Sequence, residues 1–470
     1  MIERGERIHV IGIAGSGAAG TAVLLDRAGA IVDGCDLDAP SPYTPPLDAA
    51  GIAYVVGHDP SHLDGIRRVA ISPALRAVPD HAELMAAQVR GIPIATWQAL
   101  LGELQAAPGR IGLGVTGTHG KSTTTALLGH LLIAAGLDPT VEVGAFIGAW
   151  SASVRPGEGA PFLVEADEFG DNFLNYHPAG TIVTNVEMDH PDYFADQGAV
   201  MESFERFVRG MHPDPALDGR LLVIAASDPG ANELVGRLQD WDGRILRYGP
   251  GGEVSASEVL RNRGGTAFTL FGHRFEMTLA GAHNVLNATA ALVMGRMLGA
   301  DLDLMAGGLR TFAGAGRRME LIADTATVTI YDDYGHHPTE VRAALSAARQ
   351  MVGPDRRLWA VFEPHMYSRT ALLMDAFATA FTDANEVVIA DIFASRDTPE
   401  AMASTSAEAL ADAIERNSAV PAIATGDVDA TTDYVADHVG TGDAVLVMGA
   451  GKSYRVARGL AERLERKPRS

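Results

Sequence analysis

Three times along the chain, an apolar strand-forming run ends in glycines and passes directly into a helix-forming run. These are "RIHVIGIAGSGAAG" from Arg7, "RIGLGVTGTHGKSTTT" from Arg110 and "DAVLVMGAGKSY" from Asp443. A strand that turns tightly on glycine into a helix is the repeating unit of sheets with parallel strands and helical cover. The pattern therefore predicts an α/β fold and excludes an all-helical bundle or an all-β sandwich.

The first junction has the polarity of a targeting segment as well. Ile8 to Leu25 carry no fixed charge and follow Arg4 and Arg7, which superficially resembles a signal peptide or a membrane anchor. Gly12, Gly15, Gly17 and Gly20 would weaken a spanning helix but suit a tight turn, so the segment reads as strand, turn and helix. No other stretch is long and apolar enough to span. A chain of 470 residues exceeds one core and suggests about three domains. Its net charge of -22 argues against general nucleic-acid or anionic-membrane binding, so any phosphate site must be locally positive. Cys35 is the single cysteine, which excludes an intramolecular disulfide framework and a cysteine-based zinc cluster, and the cytoplasm fits best.

Strands and helices alternate through residues 1–106. "AAPGR" then reads as a linker, and a second strand-turn-helix opens residues 107–315. The glycine-rich "FAGAGRR" leads into residues 316–470, where strands and helices alternate again. The expected architecture is a Rossmann-like N-terminal domain, a central ATPase-like domain with a phosphate loop, and a Rossmann-like C-terminal domain. Ser122 to Ala135 should be a helix with Leu127, Leu128, Leu131 and Leu132 on one face.

The three turns differ in what they offer an anion. Gly15-Ser16-Gly17-Ala18-Ala19-Gly20, with Asp36 at the end of the next strand, matches a dinucleotide fingerprint. A tight packing turn is the simpler alternative. The central turn has Lys121 and a run of hydroxyls, Ser122 to Thr125, on the first helical turn. Backbone N–H groups and the helix dipole attract a phosphate there, lysine neutralises it, and a hydroxyl coordinates magnesium. Its glycines are nevertheless displaced from the usual nucleotide-loop spacing, which would put one at Val115. The third turn has Lys452 but continues Ser453-Tyr454-Arg455, with no hydroxyl run, and reads as a chain turn.

Glu165 closes "FLVEADEF" and His190 lies just beyond "TIVTNVEMDH". Both sit at strand ends, where ligands bind in parallel sheets. Oxygens of Glu165 and Ser122 suit magnesium, for which a histidine is a less natural ligand. Asp167, Glu168, Glu187 and Asp189 read mostly as ordinary polar loop residues. In "HNVLNA", Asn284 and Asn287 lie three apart on one helix face, and amides there match the edge of adenine.

Together, "GIAGSGAAG", "ISPAL", "TGTHGKSTTT", "EADE", "TNVEMDH", "GAHNVLNA", "GRRMEL", "DDYGHHPTE" and "EPHMYSRT" resemble, in order and over nearly the whole chain, the Mur ligases. These are the ATP-dependent amide-forming enzymes of bacterial cell-wall synthesis. The likeness is greatest to members that join L-alanine to the carboxylate of UDP-N-acetylmuramate through an acyl phosphate. That family's loop is built on TGTHGK[ST], which accounts for the displaced glycine.

The resemblance implies that Gly117, Thr118, His119, Gly120, Lys121, Ser122 and Thr123 form the ATP phosphate loop. Asn284 and Asn287 would contact adenine, and Arg318 and Asp333 the nucleotide. Ser122, Glu165 and His190 would bind Mg2+, with Lys121, Glu165 and His190 the catalytic set. Gly15, Ser16, Gly17, Asp36, Ser72 and His119 would serve the UDP substrate. Tyr334, His336, His365 and Arg369 would line the amino-acid pocket. As a residue type histidine has an intrinsic titration range suited to a general base, which makes His336 and His337 candidates, but adjacent histidines are equally apt to be structural.

The chain departs from the family pattern at Ala14, at Glu363 and Met366 in "EPHM", and at Lys452, which bears on amine preference rather than on ATP. Two rivals remain. A member that attaches a peptide to the same carboxylate typically differs at "HMYSRT". An NAD-dependent oxidoreductase leaves Lys121, Glu165 and His190 unexplained.

Overall fold

Residues 2–78, 80–325 and 327–466 are described by the computed structural model. They fall into two units. The first runs to Glu187 and takes in Gln197–Ser255 and Asn287–Ala313. The second comprises Met188–Asp196, Ala256–Leu286 and the chain from Gly314 onward.

The first unit holds two parallel sheets. β1 (Arg7–Ile11), β2 (Ile31–Asp36), β3 (Ala53–Val56), β4 (Arg68–Ile71) and β5 (Ile94–Thr96) pair in the order β3-β2-β1-β4-β5. Chain direction across the sheet reverses between β1 and β4, so a crevice opens beyond their carboxyl ends. The glycine turn into α1 (Ser16–Arg27) and Ser72 both lie there. Helices α2 (Pro45–Ala50), α3 (Ala82–Arg90) and α4 (Trp97–Gln105) complete this layer.

The second sheet of this unit contains β6 (Ile111–Thr116), β7 (Thr140–Ile147), β8 (Ala152–Arg155), β9 (Pro161–Glu165), β10 (Gly180–Val183), β11 (Leu221–Ala225) and β12 (Arg244–Tyr248). Their order is β12-β11-β10-β6-β9-β7-β8, with only the β7–β8 pair antiparallel. β6 is therefore flanked by β9 and β10, whose ends bring Glu165 and Thr184 to either side of the loop that follows β6. α5 (Lys121–Ala134) leaves that loop with Leu127, Leu128, Leu131 and Leu132 fully buried, as their spacing predicts.

In the second unit, β13 (Ser257–Asn262), β14 (Gly265–Leu270) and β15 (His273–Met277) form an antiparallel sheet that strand-helix alternation did not foreshadow. The larger sheet has β16 (Glu320–Asp324), β17 (Val328–Asp333), β18 (Leu358–Phe362), β19 (Glu386–Ala390), β20 (Ala422–Gly426) and β21 (Asp443–Met448), in the order β16-β17-β21-β18-β19-β20. Only β16 runs antiparallel. β17, β18 and β21 are buried along their whole length, as central parallel strands covered on both faces must be. No helix among the described residues is long and apolar enough to cross a membrane.

The two sheets of the first unit meet through close glycine contacts. A Cβ on Gly102 of α4 would lie 2.1 Å from the carbonyl oxygen of Asn175, a backbone atom with little room to retreat. Gly102→Ala is accordingly expected to destabilise the chain by about 1–3 kcal/mol despite alanine's helix propensity. In the helix Pro229–Arg237, Gly236 has nothing within 4 Å of such a Cβ, and Gly236→Ala should stabilise by about 0.5–1 kcal/mol. Thermal melts showing the same sign for both variants would refute the packing argument.

Candidate active site

The loop after β6 is held from one side by the segment after β10. Thr184 Oγ1 donates to the carbonyl oxygens of His119 at 2.6 Å and Thr116 at 3.2 Å. Asn185 accepts from the His119 N–H at 2.8 Å and returns its amide to the His119 carbonyl at 3.0 Å. Gly117 has φ +131°, and a Cβ on it would lie 2.1 Å from Thr184 Oγ1, so both the conformation and the clearance require glycine. Gly120 has φ +82° and ends the loop, with Asn287 Oδ1 3.0 Å from where its Cβ would stand. No side chain caps the helix at Gly120, so the N–H groups of the first turn have no side-chain acceptor there, the condition under which a helix N-terminus can take an anion.

Lys121 folds back over this turn. Its Nζ donates to the carbonyls of Gly117 at 2.7 Å and Thr118 at 3.2 Å, and pairs with Glu168 Oε2 at 2.7 Å. Burial pushes the ammonium down, but the charges of Glu168, Asp167 and Glu165 outweigh it and hold Lys121 above the ordinary lysine range. Ser122 Oγ donates to Glu165 Oε1 at 2.8 Å, and the Gly144 N–H donates to Glu165 Oε2 at 2.7 Å. Behind Glu165, burial together with the charges of Glu165 and Asp167 keeps the Glu142 carboxyl well above its usual range. Thr123 is buried beside Ser122, Thr118 Oγ1 accepts from the Glu187 N–H at 2.8 Å, and His119 Nε2 lies 3.5 Å from Glu187 Oε2. Lys121, Ser122, Glu165 and Asn287 are thus brought together around one loop.

At the first turn, Asp36 Oδ2 accepts from the Ala14 N–H at 3.0 Å, and Ser72 begins a short 3-10 turn beside Gly12. Gly15 caps α1, Ser16 opens it, and Gly17 lies against the Trp97 ring. This arrangement leaves the helix terminus of α1 and two polar side chains around a crevice.

The remaining predicted residues belong to the second unit. Arg369, only 1% exposed, pairs with Asp189 Oδ1 at 2.7 Å and has His190 Nδ1 at 3.4 Å and His365 Nδ1 at 3.2 Å. His365 lies 5.7 Å, ring to ring, from His336, which is 5.5 Å from Tyr334. Burial pulls His336 down to about 4 and His365 down to about 3, so both rings are neutral at pH 7. His337 is structural: it caps the helix Pro338–Val352, its Nδ1 accepting from the Thr339 N–H at 3.3 Å. Asp333 accepts from the N–H groups of Met319 at 2.8 Å and Gly335 at 2.7 Å, and burial pushes it up to about 6. Arg318 lies over the Tyr334 ring and 3.7 Å from Glu340. Asn284 donates to the Ala280 carbonyl at 2.7 Å. Met366 is buried with φ +69°, and its N–H donates to the Phe393 carbonyl.

The third glycine turn is closed on the protein itself. Glu363 Oε2 accepts from the Ser453 N–H at 2.7 Å, and Arg317 donates to the Gly449 carbonyl at 2.7 Å and Ser453 Oγ at 2.9 Å.

Two carboxylates contradict the reading of the acids as ordinary loop residues. Glu168 is 2% exposed and holds Lys121, and Asp189 is 5% exposed and holds Arg369. Their partners lie far away in sequence, so neither carried a local signal. Thr184 and Asn185 were missed for the same reason.

Asp189 lies well below the usual carboxylate range: burial opposes this, but the charge of Arg369 prevails. Arg369→Met should cost about 3–5 kcal/mol at pH 7 by stranding a buried carboxylate. A depressed carboxyl stabilises the fold above its unfolded pKa and loses that contribution as pH falls. The penalty should therefore begin to shrink below about pH 4. Urea unfolding of both proteins across that range tests this, and a penalty independent of pH would refute the pairing.

Three family models match successive parts of the chain: "Mur ligase family, catalytic domain" over residues 7–107, "Mur ligase middle domain" over 115–295, and "Mur ligase, glutamate ligase domain" over 317–451. The chain is 38% identical to UDP-N-acetylmuramate--L-alanine ligase of Mycolicibacterium vanbaalenii over 98% of its length and 96% of the relative's. It is 38% identical to the protein of the same name from Mycolicibacterium smegmatis, covering 95% and 92%. Its fold matches the crystal structure of UDP-N-acetylmuramate-alanine ligase MurC from Thermotoga maritima with a TM-score of 0.79, at 24% identity and over 98% and 99% of the two chains. By the family models and by near full-length identity to these relatives, the chain belongs to the Mur ligase family.

Proposed function

We propose that the chain is an ATP-dependent ligase that joins L-alanine to the carboxylate of UDP-N-acetylmuramate, in the cytoplasm. The observation that carries this is the uncapped glycine loop with Lys121, Ser122 and Glu165 around it, in a chain 38% identical to ligases of that name. We further assign residues 1–106 to the UDP substrate, 107–315 to ATP and 316–470 to the amino acid. The successive family matches support that division.

The residues suit the groups they are assigned. Gly117 to Thr123 offer N–H donors and positive charge to phosphates, and Ser122 Oγ and Glu165 Oε1, 2.8 Å apart, are hard oxygen donors of the kind magnesium takes. Glu168 Oε1 is buried without a hydrogen-bond partner beside Lys121, a further sign that a cation belongs nearby. Magnesium there would neutralise charge on the transferring phosphoryl group. His190 is assigned to a second metal on family resemblance. Asn284, Asn287, Arg318 and Asp333 are assigned to the nucleotide in the same way. Gly15, Ser16, Gly17, Asp36, Ser72 and His119 are assigned to the UDP substrate, and Tyr334, His336, His365 and Arg369 to the amino acid.

The chemistry follows from the weakness of a carboxylate as an electrophile. Its oxygen attacks the γ-phosphorus and ADP leaves, while Lys121 stabilises the charge that spreads over the transferring oxygens. The amine of L-alanine then attacks the acyl carbon, phosphate departs and the nitrogen loses a proton.

The test is phosphate release from ATP, magnesium and UDP-N-acetylmuramate with L-alanine, glycine, L-serine or a murein tripeptide added separately. Release is expected with L-alanine, and Lys121→Met should lower kcat on the order of 10^2- to 10^3-fold. Release with the tripeptide alone would assign a recycling ligase instead. NADH turnover without phosphate release would move the site to the first glycine turn.

A further inference from the structure

The N-terminal sheet buries a group of side chains that the ligase chemistry leaves unused. His9 of β1 and Cys35 of β2 are 2% and 0% exposed, and His62 and Glu83 reach them from the 3-10 turn Pro60–Leu63 and from α3. Cys35 Sγ lies 3.3 Å from His9 Nε2 and 3.4 Å from Glu83 Oε1. Glu83 Oε1 lies 3.7 Å from His9 Nε2 and 2.7 Å from His62 Nδ1. One atom from each of the four residues fits within a 4.8 Å span. Donors around a tetrahedral zinc with bonds of about 2.0–2.3 Å stand roughly 3.3–3.8 Å apart, so most of these separations are already those of a ligand shell.

Three further features point to a cation. His9 Nδ1 contacts Asp33 Oδ1 at 2.6 Å; in the tautomer that donates Nδ1–H to this carboxylate, the Nε2 lone pair faces the cluster, as a metal ligand requires. This carboxylate-histidine arrangement is the usual support behind a metal-binding imidazole. His81 is 8% exposed with no hydrogen-bond partner for either ring nitrogen, and with His58 it crowds the same carboxylate. Four histidines around one glutamate supply more donors than a carboxylate needs. Finally, a thiolate and a carboxylate together cancel the charge of a divalent ion, which makes a neutral centre acceptable against Ile11, Leu63, Val69 and Leu84. A lone cysteine excludes a cysteine-only cluster but not this mixed set.

We propose that His9, Cys35, His62 and Glu83 form a structural zinc site in the N-terminal domain, with Asp33 orienting His9. Binding releases the Cys35 proton and ties β1 and β2 to the Pro60–Leu63 turn and α3, so the metal contributes to folding.

Cobalt(II) is the decisive probe, because Cys35 is the only cysteine in the chain and any thiolate-to-cobalt charge-transfer band must come from this site. The full chain, stripped with chelator and titrated, should develop that band, lose it when zinc is added, and retain zinc through dialysis by elemental analysis. Asp33→Asn should weaken zinc binding about 10- to 100-fold. Cys35→Ser should abolish the band and lower the zinc content relative to the unmodified chain. A folded native protein that shows no charge-transfer band would overturn the proposal even if zinc is retained, since that zinc would lie elsewhere. So would a thermal midpoint unmoved by zinc or by chelator, which would leave only a hydrogen-bonded cluster.

Discussion

The buried pair of Lys121 and Glu168 anchors the arrangement around it. An ammonium taken out of water demands compensation, and here it comes from a carboxylate and two loop carbonyls. Those carbonyls belong to Gly117 and Thr118, so the charge that serves the site also fixes the path of the loop. That path runs where no Cβ fits, because Thr184 occupies the space against Gly117. Strand order supplies both constraints: β9 and β10 flank β6, and their ends deliver Glu165 to one side and Thr184 with Asn185 to the other.

The second unit solves a similar problem differently. Arg369 is buried against Asp189, with two histidine rings nearby that burial keeps neutral. One full positive charge is thus balanced by one full negative charge, and the imidazoles add polarity without adding charge. His337, which by sequence alone was interchangeable with His336, is committed to the backbone as a helix cap.

Much of this was legible because some residue types have few uses. Glycines beside a lysine and a hydroxyl run are the letters from which a phosphate loop is expected, and fully apolar runs such as "DAVLVM" specify central parallel strands. Glu165 was legible because it closes a strand. What escaped depended on neighbours set by sheet order: Glu168 and Asp189 look like any loop acid until Lys121 and Arg369 are brought against them. The antiparallel β13–β15 sheet escaped because β13 is exposed along its length and carries no buried face to leave a pattern. The grouping of His9, Cys35, His62 and Glu83 escaped because four separate segments contribute to it.

The Glu363 carboxylate beneath the third glycine turn has a consequence for how such loops are read. It supplies from within the chain the negative charge that a phosphate would bring from outside, so the turn behaves as a lock already holding its key. Two loops that share "GKS" therefore differ in whether the chain fills them, as well as in the hydroxyl run that follows only the first. Any search that ranks glycine-lysine turns by spelling alone will count both. A further discriminating letter lies outside the turn, at the end of a neighbouring strand, some ninety residues earlier in the chain.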